Sequence, residues 1–361
     1  MKLTYYKQLD GIRAIAALMV LFFHFFRDVT TQSIPLKVLK ELSNFGQTGV
    51  TLFFVLSGFL ITRILLNTKE TSGYFKNFYV RRILRIMPLY FLFLIVWYLV
   101  VPLVTGTDFA SFNQEIYYFT YLQNFARTFD WDSTGPHHFW SLAVEEHFYL
   151  FWPLVIYLFS KKNLTKIIIG VILFAMLLRA YMLWQGYSVF IFTFTRFDAL
   201  AIGALLAILE LKGVFRSEKS PIFLRLFIGI ITLSVLLYAF VGEGNDVLQN
   251  LRYLLLSFAY FALLGVVLCY RKDHFLNTVL KTRFLTYTGK ISYGLYVYHP
   301  LVLLIFTTYF STGIILVDLL IIGGMSYALA GISYRYFESP FLGLKKYFEY
   351  GGKKLPEHQN T

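Results

Sequence analysis

The sequence predicts an all-α integral membrane protein, a bundle of about ten transmembrane helices with both termini in the cytoplasm. Three observations lead there. The 361 residues are 57% hydrophobic and only 15% charged, with a mean hydropathy of +0.61, too little charge to clothe a soluble surface of that size. Apolar runs of about 18–22 residues recur along the whole length, enough for a helix to cross a bilayer. Most of the Lys and Arg residues fall in the N-terminus and every second loop, whereas the alternate loops hold only Arg27, Lys37, Lys40, Arg127 and Arg252. That asymmetry fixes orientation through the positive-inside rule. It also accounts for the net charge of +13, so no nucleic-acid partner is expected.

The spans run approximately Gly11–Phe26, Val50–Leu66, Ile86–Thr105, Phe139–Phe159, Ile167–Trp184, Phe190–Leu211, Leu226–Val241, Tyr253–Tyr270, Ile291–Phe310 and Ile314–Tyr334. The first is read as an uncleaved helix, because Arg13 interrupts it and no small-residue cleavage site follows Phe26. The longest outer segment, Gly106 to His138, opens with the aromatic, helix-like NQEIYYFTYLQNF, read as lying in the membrane interface. It closes with a loop of Asp, Gly and Pro turn chemistry. On the inner side, KNFYVRRILR is a basic cytoplasmic stretch. Residues 1–345 form one membrane domain, and 346–361 a cytoplasmic tail expected to be disordered, at least after Tyr350. The single cysteine, Cys269, excludes intrachain disulfides.

Charged groups at bilayer depth cost on the order of 3 kcal/mol each on insertion scales, so each needs a reason. They sort by depth. Arg13 and Arg63 lie near the inner surface beside Arg81, Arg82 and Arg85. His24, Glu145, Glu146, His147, Arg179, Arg196 and Asp198 lie in the outer half, with His299 nearer the middle. In DGIRAIAALMVLFFHFF, Arg13 and His24 are eleven residues apart, about three helical turns and roughly 16 Å of rise. They share a face at opposite depths, with Asp10 a candidate N-cap. A cation low and an imidazole high suit an elongated ligand with an anionic cytoplasmic end and a reactive end within the membrane.

These residues resemble the membrane acyltransferase-3 family, whose members move acyl groups, commonly acetyl, from acyl-coenzyme A onto hydroxyls of surface or secreted glycans. Arg13 and His24 match its Arg–x10–His pair. Further matching stretches are GVTLFFVLSGFLI (Gly49–Ile61), RRILRIMPLY (Arg81–Tyr90), WSLAVEEHFYLFWP (Trp140–Pro153), TRFDALAIGALLA (Thr195–Ala207), ISYGLYVYHPL (Ile291–Leu301) and YRYFESPF (Tyr334–Phe341). One departure is His147, where members usually carry Gln, which adds an imidazole near the site. The resemblance implies an acyl-coenzyme A donor (acetyl-coenzyme A), a glycan or glycosylated acceptor, and a multi-pass protein of the bacterial inner membrane. Some members carry an added extracytoplasmic esterase-like domain, and none is expected in this chain. No metal is expected.

The chemistry is consistent with those implications. Acyl transfer from a thioester to an alcohol needs a base, for which histidine suits, and a group to orient its ring. His24 is the expected base and Glu145 the expected orienting carboxylate. Trp140, Ser141, Asn124 and Tyr149 are candidate donors to the oxyanion. Arg13 with Arg81, Arg82 and Arg85 forms a candidate cradle for the donor's phosphates. Plainer readings stand beside these. The arginines also serve as topology signals, Ser57 reads as a small packing residue beside Gly58, and Arg196 with Asp198 reads as a buried ion pair. His299, on one face with Ser292 and Tyr296, fits a second acid–base role or a structural hydrogen bond equally. Glu338 is expected to cap or pair at the membrane surface. The alternative function is a transporter of glycans or glycan precursors, with these polar groups lining its path. A non-enzymatic scaffold would leave His24 and Glu145 unexplained.

Overall fold

Apolar runs of this length satisfy their backbone polar groups only by coiling, and helices dominate the computed structural model, which describes residues 4–350 apart from 243 and 272. In order they are α1 (Lys7–Arg27), α2 (Ile34–Asn44), α3 (Gly49–Thr68), α4 (Tyr74–Thr105), α5 (Phe112–Phe119), α6 (Gln123–Thr128), α7 (Trp140–Leu158), α8 (Lys161–Trp184), α9 (Phe197–Leu211), α10 (Ser220–Val241), α11 (Asp246–Cys269), α12 (Phe275–Leu280), α13 (Arg283–Tyr309), α14 (Ile315–Ser333) and α15 (Ser339–Gly343). Among the described residues, 8 helical stretches are long and apolar enough to cross a membrane. The two other expected spans are α7, whose apolar run is broken by Glu145, Glu146 and His147, and α9, which has 15 residues.

Glycines set which helices touch. A Cβ on Gly289 of α13 would sit 2.0 Å from the Asp10 carbonyl oxygen of α1. One on Gly58 of α3 would sit 1.9 Å from that of Leu200, and one on Gly203 of α9 would sit 2.0 Å from that of Val55. Only hydrogen side chains permit such backbone approach. The helix carrying His24 is thereby laid along α13, and α3 is laid along α9.

Four expectations change. α4 begins at Tyr74, so the basic stretch forms the first turns of a 32-residue helix rather than a loop. Asp10 is not an N-cap: α1 starts at Lys7, and Asp10 accepts from the Tyr5 hydroxyl and pairs with Arg13 at 2.5 Å. Burial and then Asp10 push the Tyr5 hydroxyl up to about 12, so it stays a donor. The outer aromatic segment forms α5 and α6 but folds inward. Tyr121 stacks on Tyr90 at 4.3 Å, Tyr90 stacks on Phe139 at 4.7 Å, and Gln123 and Asn124 are fully buried. The last described residues also hold structure. After a π turn at Tyr334–Glu338 and α15, a 3-10 turn runs Leu344–Phe348, and Asn77 and Arg81 donate to carbonyls of Lys345, Phe348 and Glu349. The expectation for the tail after Tyr350 falls outside the described residues.

Candidate active site

Three imidazoles meet at the outer ends of the helices. His24 projects from α1, His299 from α13, and His138 from the turn ahead of α7. The His24 and His299 ring centroids are 4.9 Å apart, and those of His138 and His299 5.7 Å. His299 Nδ1 lies 3.1 Å from the Leu295 carbonyl, and its Nε2 lies 3.0 Å from His24 Nδ1. His24 Nδ1 is also 3.0 Å from the Val20 carbonyl. A carbonyl oxygen only accepts, so these contacts fix the neutral tautomers. His299 carries its proton on Nδ1 and gives it to Leu295, leaving Nε2 as an acceptor. His24 also carries its proton on Nδ1, shared between Val20 and His299 Nε2. The remaining nitrogen of His24, Nε2, keeps a free lone pair.

Beneath this pair, the Tyr296 hydroxyl donates to the His138 carbonyl at 2.5 Å and meets Ser141 Oγ at 2.6 Å. These two hydroxyls roof a cavity of about 250 Å³ that reaches down to Arg13, Arg82, Arg85 and Lys345. Its walls are mostly apolar, from Phe53 and Phe54 to Leu60 and Ile64, with Ser57, Glu145, Tyr149 and Ser292 as polar interruptions. Neither His24 nor His299 lines it; Tyr296, whose ring is 5.9 Å from that of His299, stands between. Its cationic end carries little compensation. Arg13 pairs with Asp10, but among the described residues none of Arg82, Arg85 and Lys345 forms an ion pair. Arg82 Nε is buried with no hydrogen-bond partner among the described residues.

Several expected residues lie elsewhere. Glu145 does not reach His24; it accepts from Ser57 Oγ at 2.5 Å on the cavity wall. The reason is packing: α7 lies against α3, and α1 lies against α13, so an imidazole takes the position expected for the carboxylate. Ser57 is correspondingly more than a packing residue. Arg81 is outside the cavity, with its guanidinium on the Lys345 and Phe348 carbonyls and over the Tyr350 ring. Asn124 donates to the Trp140 carbonyl at 2.9 Å and to Thr193 at 3.1 Å, and Trp140 packs on Phe54 and Phe190. Neither lines the cavity, whereas Ser141 and Tyr149 do. His147 turns away to Thr193 at 3.1 Å. Asp198 pairs with Arg179 at 2.7 Å rather than with Arg196, which donates to Thr51 at 2.8 Å. Glu338 is buried in the π turn and accepts from Ser333 at 3.3 Å, with no ion pair among the described residues.

His138 and two residues of the cavity wall, Tyr293 and Lys345, were not singled out from the sequence. His138 follows a second histidine in a loop-like GPHHFW run; His137 itself sits at the outer surface, pushed below the ordinary imidazole range by burial, then by Arg127 and Arg27. Lys345 sits at the edge of what reads as a tail.

Compared with known proteins, residues 6–335 match the family described as an acyltransferase domain. The peptidoglycan O-acetyltransferase OatA of Listeria monocytogenes is 28% identical over 96% of this chain, and the O-acetyltransferase OatA of Staphylococcus aureus is 29% identical over 93%. In both cases the matched region is 57% of the relative, so the chain spans little more than half the length of these proteins. No solved structure matches.

Proposed function

The chain belongs to the acyltransferase-3 family, and from that premise we propose an integral-membrane O-acyltransferase of the bacterial inner membrane. It would move an acyl group, acetyl first among candidates, from cytoplasmic acyl-coenzyme A to a hydroxyl of a cell-envelope glycan. The observation that carries this reading is the cavity: a cluster of cations at its inner end, of which only Arg13 forms an ion pair among the described residues, and, above its hydroxyl roof, a histidine pair that leaves one lone pair free. The relatives named for O-acetylation, one of them of peptidoglycan, support the acyl group and the kind of acceptor.

Arg13, Arg82 and Arg85 would hold the donor's phosphates, since guanidinium matches phosphate bidentately. The apolar walls suit the extended arm, and the thioester would lie beneath Tyr296 and Ser141. Reaction requires the Tyr296 hydroxyl to leave both the His138 carbonyl and Ser141 Oγ, which frees both hydroxyls to donate to the oxyanion. His24 Nε2 takes the proton of the acceptor hydroxyl as its oxygen bonds the thioester carbon. The resulting imidazolium is held by its Nδ1 proton on His299 Nε2, the part a carboxylate plays in a Ser–His–Asp triad. As the carbon–sulfur bond breaks, His24 returns the proton to the leaving thiolate.

The test is transfer of radiolabelled acetyl from acetyl-coenzyme A to glycan fragments by the protein in proteoliposomes. His24→Ala should lower the rate by about 10²–10⁴-fold, the usual worth of a positioned base, and leave donor binding intact. Wild-type protein that carries intact glycan across the membrane while consuming no acetyl-coenzyme A would replace this reading with the transporter.

A further inference from the structure

Lys345 lies outside the region that matches the family, ten residues beyond its end, yet its side chain lines the same cavity as Arg13, Arg82 and Arg85. The charged groups that act on it most strongly are Arg85, Arg82 and Arg81, all cations. Like charges brought together in a partly buried site repel, a cost relieved when the lysine sheds its proton or when an anion arrives to hold that proton in place. The segment is nevertheless held there. Arg81 Nη1 donates to the Lys345 carbonyl at 2.8 Å and the Phe348 carbonyl at 3.2 Å, and its guanidinium lies 5.4 Å over the Tyr350 ring. Asn77, one helical turn earlier on α4, donates to the Glu349 carbonyl at 3.1 Å. Two side chains of α4 thus strap the C-terminal segment across the inner mouth so that one ammonium points inward.

We propose that Lys345 is a fourth cation of the donor site, a phosphate ligand supplied from beyond the family's domain, and that Arg81 is the positioning residue that aims it. The inference rests on the acyl-coenzyme A reading and extends it. An ammonium acts on phosphate as a flexible point charge, where the arginines supply fixed forks. Together they fit a thioester whose anionic end bears several phosphates, rather than a short acyl-pantetheine without them. Arg81 then acts through the backbone of 345–348 and not by touching the donor.

The experiment compares acetyl-coenzyme A with acetyl-pantetheine, which lacks the nucleotide and its phosphates, as donors for the full chain in nanodiscs. Lys345→Ala should raise the KM for acetyl-coenzyme A roughly 10-fold, the scale of one charge-assisted contact, leave kcat alone, and leave acetyl-pantetheine turnover unchanged. The affinity lost should shrink as salt is raised. Arg81→Ala should give a smaller rise of the same kind, and the double variant no more than Lys345→Ala alone, because both act through one ammonium. Equal losses for the two donors would make the strap merely structural and overturn the proposal, as would an unchanged KM. If wild-type protein uses or binds neither donor, the donor reading itself falls and the proposal with it, an outcome distinct from a wild type that prefers acetyl-coenzyme A and a Lys345→Ala that matches it.

Discussion

Two groups of arginines sit at membrane depth, and the chain treats them in opposite ways. Arg179 and Arg196 are almost wholly buried and held by groups of the chain: Arg179 by Asp198, Asn250 and the Thr195 carbonyl, Arg196 by Thr51 and by the Tyr253 ring 4.2 Å away, although Arg179 Nη2 and Arg196 Nε and Nη1 find no hydrogen-bond partner among the described residues. Arg82 and Arg85 are half-buried and, among the described residues, meet no carboxylate in an ion pair. The first group does structural work. The backbone ahead of α9 is irregular, which hydrocarbon does not tolerate unless protein satisfies its polar groups, and Arg179 does so at the Thr195 carbonyl. The second group is left short of partners at the mouth of a cavity. An intramembrane charge sealed in the interior against groups of the chain belongs to the fold; one that lines a cavity and meets no carboxylate in an ion pair points to a ligand.

That contrast can be broken most severely at Asp198. Asp198→Ala would strand Arg179 in a dry site, at a cost of about 3–5 kcal/mol, and should appear as a large fall in melting temperature in detergent or failure to accumulate. If the variant melts like wild type, the structural assignment is wrong. Arg82→Ala with Arg85→Ala should do the reverse: unliganded melting unchanged or slightly raised, and acetyl-coenzyme A affinity down about 100-fold, since contacts to charged groups are each worth about 1.5–3 kcal/mol. A collapse of the unliganded protein would move these arginines into the first group. His299→Phe keeps a ring but removes the acceptor for His24 Nδ1. We expect kcat to fall roughly 30-fold with KM unmoved, partly restored by His299→Gln, whose amide oxygen can accept; an unaffected kcat would return His299 to a packing role. The smallest effect is expected at Ser57→Ala. It removes one hydroxyl from Glu145, about 0.5–1.5 kcal/mol, read as a change of a few fold in donor KM with kcat intact.

How much of this was legible follows the range of the interactions. The all-helical, membrane-spanning class and the helical spacing of Arg13 and His24 are local properties, set by hydropathy and helical rise, and sequence states them directly. Which helix faces which is not local. His24 meets His299, 275 positions away, because glycines let α1 lie against α13. Periodicity can place Glu145 at a suitable depth but cannot say that α7 packs on α3. The same limit separates Arg81 from Arg82 and Arg85, neighbours in sequence that leave α4 in different directions. Lys345 was missed because a polar, basic terminus carries the composition of a tail even when two side chains of α4 fasten it down.

The depth between Arg13 and His24 has an electrical meaning. On the proposed route, the proton given up by an outward-facing hydroxyl departs on the thiol of coenzyme A, which returns to the cytoplasm. The carbon–sulfur bonding pair stays with that thiolate, so the acyl group travels the other way as the equivalent of a cation. Proton in and acyl out would therefore cancel, and each turnover would move no net charge although its two halves meet at opposite depths. Collapsing an inside-negative voltage in sealed vesicles should leave turnover unchanged while both substrates stay plentiful.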